Sequence, residues 1–343
     1  MNINEVKKNA REKMKGYCRV CRFCDGVVCA GEVPGMGGTG TGSSFRANVE
    51  ALARVRLNMR TLHGAKDPDI TVELFGRKLS MPILAAPITG SEYNMGGAVP
   101  EAEFIQMVIS GSKAAGTIGM CGDGGNPLFY DSGLKAIEKE RGHGIAVMKP
   151  RENDVVLRMA ERAKSIGAVA VGMDVDGAGL ITMALMGQPV GPKTREELEE
   201  IISKVDLPFM LKGIMTVDEA ELAYEVGAKA IVVSNHGGRI LDSTPGVAEV
   251  LPAIAERLKG KITILADGGV RSGVDVLKYL ALGADAVLVG RPVIIGAYGG
   301  GAEGVKLVLE TMAKELKQAM ILTGCRDIAS IGDYVIYKPR YQH

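Results

Sequence analysis

From Pro82 onward the chain repeats one pattern. A short, solid run of aliphatic residues is followed by a polar or glycine-rich break, then by a longer stretch with apolar positions three and four apart. The solid runs fall at 83–86, 117–120, 144–148, 169–173, 208–211, 230–234, 262–266 and 285–289. Because they are apolar at successive positions and not at alternate ones, they predict parallel strands covered on both faces. The stretches between them predict helices near 101–114, 132–140, 153–166, 194–204, 216–226, 246–258 and 272–282, with a last one near 302–320. Eight βα units without a linker-like interruption predict an α/β chain closed into a (β/α)8 TIM barrel. An open doubly wound sheet would want a dinucleotide-type glycine turn after the first strand, and Pro87-Ile88-Thr89-Gly90 does not provide one.

Ahead of the barrel the pattern changes. Residues 1–16 are charged and helix-prone, whereas Gly31 to Gly42 can form neither a helix nor a regular strand. Ser43 and Ser44 are placed to cap a helix over about 46–62, and Val72 to Leu79 reads as a hairpin turning at Gly76 that would plug the barrel floor. The chain therefore divides into a cysteine- and glycine-rich N-terminal segment, 1–45, and a barrel with its leading helix and hairpin, 46–343.

Composition narrows the function classes. Hydrophobic residues make up 46% and charged residues 24%, as in a soluble globular protein. A net charge of +1 gives no electrostatic case for binding nucleic acid or an anionic membrane. No apolar run is long enough to span a bilayer, and the first residues lack an apolar signal core, so a cytoplasmic location is expected. With 46 glycines and no tryptophan, the chain suits loops that approach a phosphate or a flat cofactor closely.

In a barrel the chemistry sits after the strands, with phosphate held after the seventh and eighth. Asp267-Gly268-Gly269-Val270-Arg271 follows the seventh run and Gly290-Arg291-Pro292 the eighth. Glycine backbone N–H groups and two arginine forks are suited to a phosphate; the plainer alternative is two tight turns with surface arginines. Lys212 ends the fifth run and should point into the barrel mouth, either paired with a carboxylate or beside a cofactor that turns anionic on reduction. His236 ends the sixth run, with Arg239 three residues on and Asp176 after the fourth. A histidine can take a proton near neutral pH, a carboxylate can orient it, and a guanidinium can clamp a substrate carboxylate.

Ser234-Asn235-His236-Gly237-Gly238-Arg239-Ile240-Leu241-Asp242 closely resembles the active-site motif of the FMN-dependent α-hydroxy-acid oxidase and dehydrogenase family. Asp267 to Gly273, Ala281 to Asp285, and Gly290-Arg291-Pro292 resemble that family's FMN phosphate segment. Pro82-Ile83, Ala86-Pro87, Ala114 to Ile118 and Leu211-Lys212-Gly213 follow in register, so the resemblance spans about 44–332. It implies a barrel that holds FMN and passes hydride from the substrate α-carbon to the flavin. His236 would be the base, Asp176 its partner, Arg239 the carboxylate clamp and Lys212 the stabiliser of reduced flavin. Pro87, Ile88, Thr89, Lys212, Ser234, Asp267, Gly268, Gly269, Arg271, Gly290 and Arg291 would hold FMN. A small 2-hydroxy acid, a protein or small-molecule electron acceptor and a homo-oligomer are the expected partners. The chain departs from the family at the substrate end. No tyrosine stands near Glu32-Val33, the family's second active-site tyrosine gives way to Val147-Met148-Lys149-Pro150, Ala146 replaces a flavin-touching glutamine, and no second clamping arginine occurs in Gly177 to Met183.

Four of the six cysteines, Cys18, Cys21, Cys24 and Cys29, lie within twelve residues. In a reducing compartment this crowding argues for metal ligation, with an iron–sulfur cluster ahead of structural zinc, and free or regulatory thiols as the third reading. Cys121 and Cys325 read as structural. Two competing functions remain: a flavin isomerase resembling type 2 isopentenyl-diphosphate isomerase, and a flavin- or metal-based sensor that binds a partner through 1–45.

Overall fold

The computed structural model describes residues 1–180, 183 and 186–338. Eight parallel strands close into a barrel: β3 (Ile83–Ile88), β4 (Gly119–Cys121), β5 (Ile145–Met148), β6 (Ala170–Asp174), β7 (Phe209–Ile214), β8 (Ala230–Val233), β9 (Thr263–Ala266) and β10 (Ala286–Val289). They pair in chain order, and β10 returns to β3 with Val287 opposite Ile83. Each strand has an inward and an outward apolar set, which explains why the runs do not alternate with polar residues. Leu84, Ile118, Ile145, Ala170, Met210, Val232, Leu265 and Leu288 fill the interior. Ile83, Cys121, Met148, Val171, Leu211 and Ile264 belong to the cluster that packs the outer helices. Each fully buried Val, Leu, Ile or Met among them contributes about 1.5–3 kcal/mol.

The hairpin, β1 (Val72–Leu74) and β2 (Arg77–Leu79), is antiparallel and turns at Phe75-Gly76, both with positive φ (50° and 70°). Its Leu74 and Leu79 join the barrel-interior cluster, so the floor is plugged as expected.

Helices α1 (Ile3–Lys13) and α2 (Ser43–Arg54) precede the barrel. The helix expected over 46–62 stops at Arg54. Beyond it the backbone finds partners elsewhere: Leu57 pairs with Ile336, and the Asn58 N–H donates to the Val335 carbonyl. Around the barrel run α3 (Ser91–Met95), α4 (Glu101–Ala114), α5 (Pro127–Lys139), α6 (Asn153–Ser165), α7 (Arg195–Lys204), α8 (Val217–Glu225), α9 (Val247–Leu258), α10 (Gly273–Ala281) and α11 (Arg291–Thr323). Two helices begin earlier than their periodicity suggests, because proline at the first turn is a start signal. α5 opens at Pro127 under an Asn126 cap, and α11 opens at Arg291-Pro292 before breaking at Gly301 (φ 63°, ψ −150°). Ala10, Met14, Val20 and Met36 of the N-terminal segment lie in the same apolar cluster as the outer face of the barrel.

Candidate active site

The carboxyl ends of the strands surround a cavity of about 360 Å³. Its rim is completed from outside the barrel by residues 33–36, part of the glycine-rich stretch, which runs as a strap across the mouth.

His236 follows β8 in a turn whose three successive residues, His236, Gly237 and Gly238, all have positive φ (57°, 63° and 78°). Only the last two are glycines, so the histidine itself is held in the left-handed region by its surroundings. The Ser234 hydroxyl accepts the His236 N–H at 3.0 Å. Asn235 is fixed by the Asn48 amide at 2.8 Å, by Thr244 and by the Pro245 carbonyl. A Cβ on Gly238 would lie 2.3 Å from the Phe45 backbone nitrogen, so the turn closes directly on the start of α2. The imidazole Nδ1 lies 3.0 Å from Asp176 Oδ2 and 3.2 Å from Oδ1. Asp176 reaches it from the 3-10 turn Val175–Gly179 that follows β6, and Gly213 makes the room: a Cβ there would sit 2.6 Å from Asp176 Cβ.

Below the imidazole the barrel mouth holds a row of buried charges, in which the expected Lys212 and Asp267 are joined by Asp174 and Lys149, to which the sequence reading gave no role. Asp174 ends β6 between two ammonium groups, Lys149 Nζ at 2.8 Å and Lys212 Nζ at 3.0 Å. Asp267 Oδ2 lies 4.0 Å from Lys212. Burial opposes ionisation of Asp174, but the two lysines outweigh it and hold the carboxyl far below the usual range. For Lys212 burial favours the neutral amine, and Asp174, Asp176 and Asp267 overcome it, so the ammonium is held firmly. Asp267 is shifted the other way, raised mainly by burial. A step further out, Arg151 binds Asp123 bidentately, Nε to Oδ2 at 2.8 Å and Nη2 to Oδ1 at 3.0 Å. The signal for Lys149 and Asp174 was the one that revealed Lys212: a charged residue ending a solid apolar run.

Three guanidinium groups close the other side. Arg239 donates to the Gly35 and Gly37 carbonyls of the strap, at 2.5 and 3.3 Å, and to Asn94 Oδ1 at 2.9 Å. Arg291 donates to Met36, Gly37 and Gly237 carbonyls and stacks 3.8 Å from the Phe45 ring centroid. Arg271 contacts the same ring at 5.6 Å and Cys24 Sγ at 3.5 Å, while its buried Nε has no partner. Among the described residues none of the three is ion-paired with a carboxylate. Burial lowers Arg239 to about 10. It lowers Arg291 to about 9, helped by Arg271 and Arg239. Half-buried cations without counter-ions among the described residues, beside Gly268, Gly269 and Gly290, fit the phosphate of a cofactor. Pro87, Ile88 and Thr89 line the opposite wall with Gly122, and the Lys212 ammonium reaches the same cavity. Ser234 and Asp176 do not line it and stand behind His236.

The four N-terminal thiols are half-buried and none is in a disulfide. Burial pushes Cys18 up, and the nearby Cys24, Cys21 and Cys29 thiols add to the shift, so the four share one neighbourhood. A single zinc ion bound at about 2.3 Å by each sulfur needs sulfurs roughly 4 Å apart. Among the described residues the group whose ligand atoms lie within 4.8 Å of one another is Asp174, Asp176 and His236, and the thiols form no such set. Cys121 and Cys325 are buried, and burial raises Cys121 to about 12, which leaves it an inert packing thiol.

The sequence profile of the FMN-dependent dehydrogenase family matches residues 35–184 and 181–338. The chain belongs to this family. It is 33% identical to an L-lactate oxidase of Nostoc sp. over 332 residues, covering 86% of this chain and 90% of that one. Identity to a 4-hydroxymandelate oxidase of Amycolatopsis orientalis is 32%, covering 86% and 90%. A crystal structure of mandelate oxidase with benzoyl-formic acid superposes with a TM-score of 0.80 at 30% identity, covering 98% of this chain and 97% of that one. The chain is thus an FMN-dependent oxidoreductase of the class acting on CH–OH donors, and these relatives favour that reading over the isomerase. Cys18 to Cys29 precede the family match altogether. No helix among the described residues is long and apolar enough to cross a membrane.

Proposed function

We propose that this FMN-dependent dehydrogenase oxidises a 2-hydroxy acid with an apolar side chain to the 2-oxo acid, with His236 as the base. The observation that carries the reading is the His236–Asp176 pair at 3.0 Å, with His236 in the cavity wall that buried Lys212 and half-buried Arg239 also line. With Nδ1–H donating to Asp176, Nε2 is left to accept the substrate hydroxyl proton, and the Asp176 carboxylate stabilises the imidazolium that forms. FMN, when bound, supplies the acceptor for the hydride that leaves the α-carbon with both electrons. Lys212 places a fixed positive charge at the cavity wall, where negative charge develops. Arg239 gives three hydrogen bonds to neutral acceptors, and its remaining N–H groups are available to a substrate carboxylate, which is the stronger acceptor. Val33, Pro34, Met36, Phe129, Leu180 and Met186 supply the apolar wall.

The acceptor proposed for the electrons is a protein or small molecule other than oxygen, and the spacing of Cys18, Cys21, Cys24 and Cys29 supports an iron–sulfur cluster before zinc. No step is routed through them. Metal analysis and EPR after anaerobic purification test the cluster, and zinc without iron would overturn it. A homo-oligomer is proposed as well, with light scattering as its test.

Anaerobic mixing with a panel of 2-hydroxy acids, lactate and mandelate among them, tests the central reading. Flavin absorbance should bleach with at least one of them. His236→Ala should stay yellow and lose bleaching by about 10²-fold or more; bleaching as fast as the parent would overturn the role of His236.

A further inference from the structure

Lys149 stands where the chain departs from its family, and the mechanism above does not use it. It follows β5 and is 5% exposed, and its ammonium lines the cavity that also holds His236 and Arg239. Its backbone N–H donates to Asp123 Oδ2 at 3.1 Å. Its Nζ donates to Asp174 Oδ2 at 2.8 Å, the single hydrogen bond of the ammonium among the described residues. An ammonium carries three donors, so two N–H groups of this buried cation are without a protein acceptor among the described residues. The neighbouring carboxylates do not supply one. Asp123 is taken by Arg151 on both oxygens, and the other oxygen of Asp174 is ion-paired with Lys212 at 3.0 Å. The lysine stem is also seated tightly: a Cβ on Gly177 would lie 3.0 Å from Lys149 Cδ and 3.7 Å from Nζ. The loop beyond that glycine, 177–187, contains no lysine or arginine.

We infer that Lys149 is the second cation for the substrate carboxylate, held in place by Asp174 and acting in the same cavity as the N–H groups that Arg239 leaves open. The inference rests on the proposed oxidation of a 2-hydroxy acid in this cavity. A substrate carboxylate in the cavity lined by Lys149, Arg239 and His236 would supply the acceptor that the ammonium lacks. No water or further side chain is needed to satisfy the ammonium once that carboxylate is bound. A purely structural lysine would be indifferent to the ligand.

The test is titration of the FMN-loaded enzyme with oxalate, a carboxylate that cannot be oxidised by hydride loss, followed by flavin absorbance. Lys149→Gln, which still donates to Asp174, should retain FMN while its oxalate Kd rises by roughly tenfold or more, as expected for loss of a charged hydrogen bond. With substrate, KM should rise more than kcat falls, and Lys149→Arg should recover most of the binding. Lys149→Gln that holds FMN and binds oxalate like the parent would overturn the inference. If the glutamine variant fails to hold FMN, Gly177→Ala decides, because its new Cβ presses on the Lys149 stem: weaker oxalate binding supports the role and unchanged binding overturns it. A parent enzyme that neither binds oxalate nor bleaches with any 2-hydroxy acid would overturn the functional reading itself. Normal bleaching and binding in the parent, beside unaltered binding in Lys149→Gln, would remove only Lys149.

Discussion

Two residues apart on one strand end, Asp174 and Asp176 have opposite duties. Asp174 is buried between Lys149 and Lys212 and serves the cations; Asp176 serves the imidazole. Both stand in Asp174-Val175-Asp176, and the sequence reading named only the second. It took Asp176 as the partner of the histidine from the family resemblance, and the structure shows how the contact is made: the 3-10 turn after the strand carries Asp176 over Gly213. Asp176→Asn keeps the shape but leaves the imidazole without its anionic partner and free to adopt the wrong tautomer. Turnover should fall about 10²-fold or more while FMN content stays unchanged, as measured by anaerobic bleaching and flavin absorbance. Turnover within twofold of the parent would show that the pair is not used.

Most barrel elements were legible to within a few residues, because a buried strand must be apolar on both faces and an outer helix on one. The misses lie where tertiary partners or proline set the ends. α2 stops early because 333–338 pairs with the chain after it, and α11 starts early at Pro292. The most consequential element-level feature is the end of β7, where the register shifts between Lys212 and Ile214 and Gly213 adopts φ 106°. Gly213→Ala would strain this backbone and drive a Cβ to 2.6 Å from Asp176 Cβ. The expected result is FMN-loaded protein with turnover reduced by roughly tenfold or more. A variant with unaltered kcat would show that Asp176 can move without consequence. The strap at 31–42 is the element whose position the sequence left open. Its glycines ruled out regular structure, but its carbonyls proved to be the acceptors for Arg239 and Arg291.

At the scale of the molecule, the charges buried in the barrel mouth link stability to acid. The Asp174 carboxyl is held below its unfolded value, so its contribution is fully present above about pH 4 and is lost as pH falls below the ordinary carboxylate range. Protonation would leave Lys149 and Lys212 buried without their shared anion. Asp174→Asn should therefore cost about 3–5 kcal/mol at neutral pH, and its gap from the parent should narrow on acidification, read by thermal or denaturant unfolding from pH 7 to pH 3. A gap independent of pH would mean that Asp174 does not act through its charge. The sequence by itself determined the eight-unit barrel, the floor hairpin and the candidates His236, Arg239, Lys212 and Arg271, because periodicity and position at a strand end are local properties. Tertiary structure alone decided that Lys149 and Asp174 join the site and that the glycine strap closes it. Those are contacts between residues tens to hundreds of positions apart, and barrel closure with loop packing sets them. The pattern of apolar positions carries no record of which strand ends will face one another across the mouth.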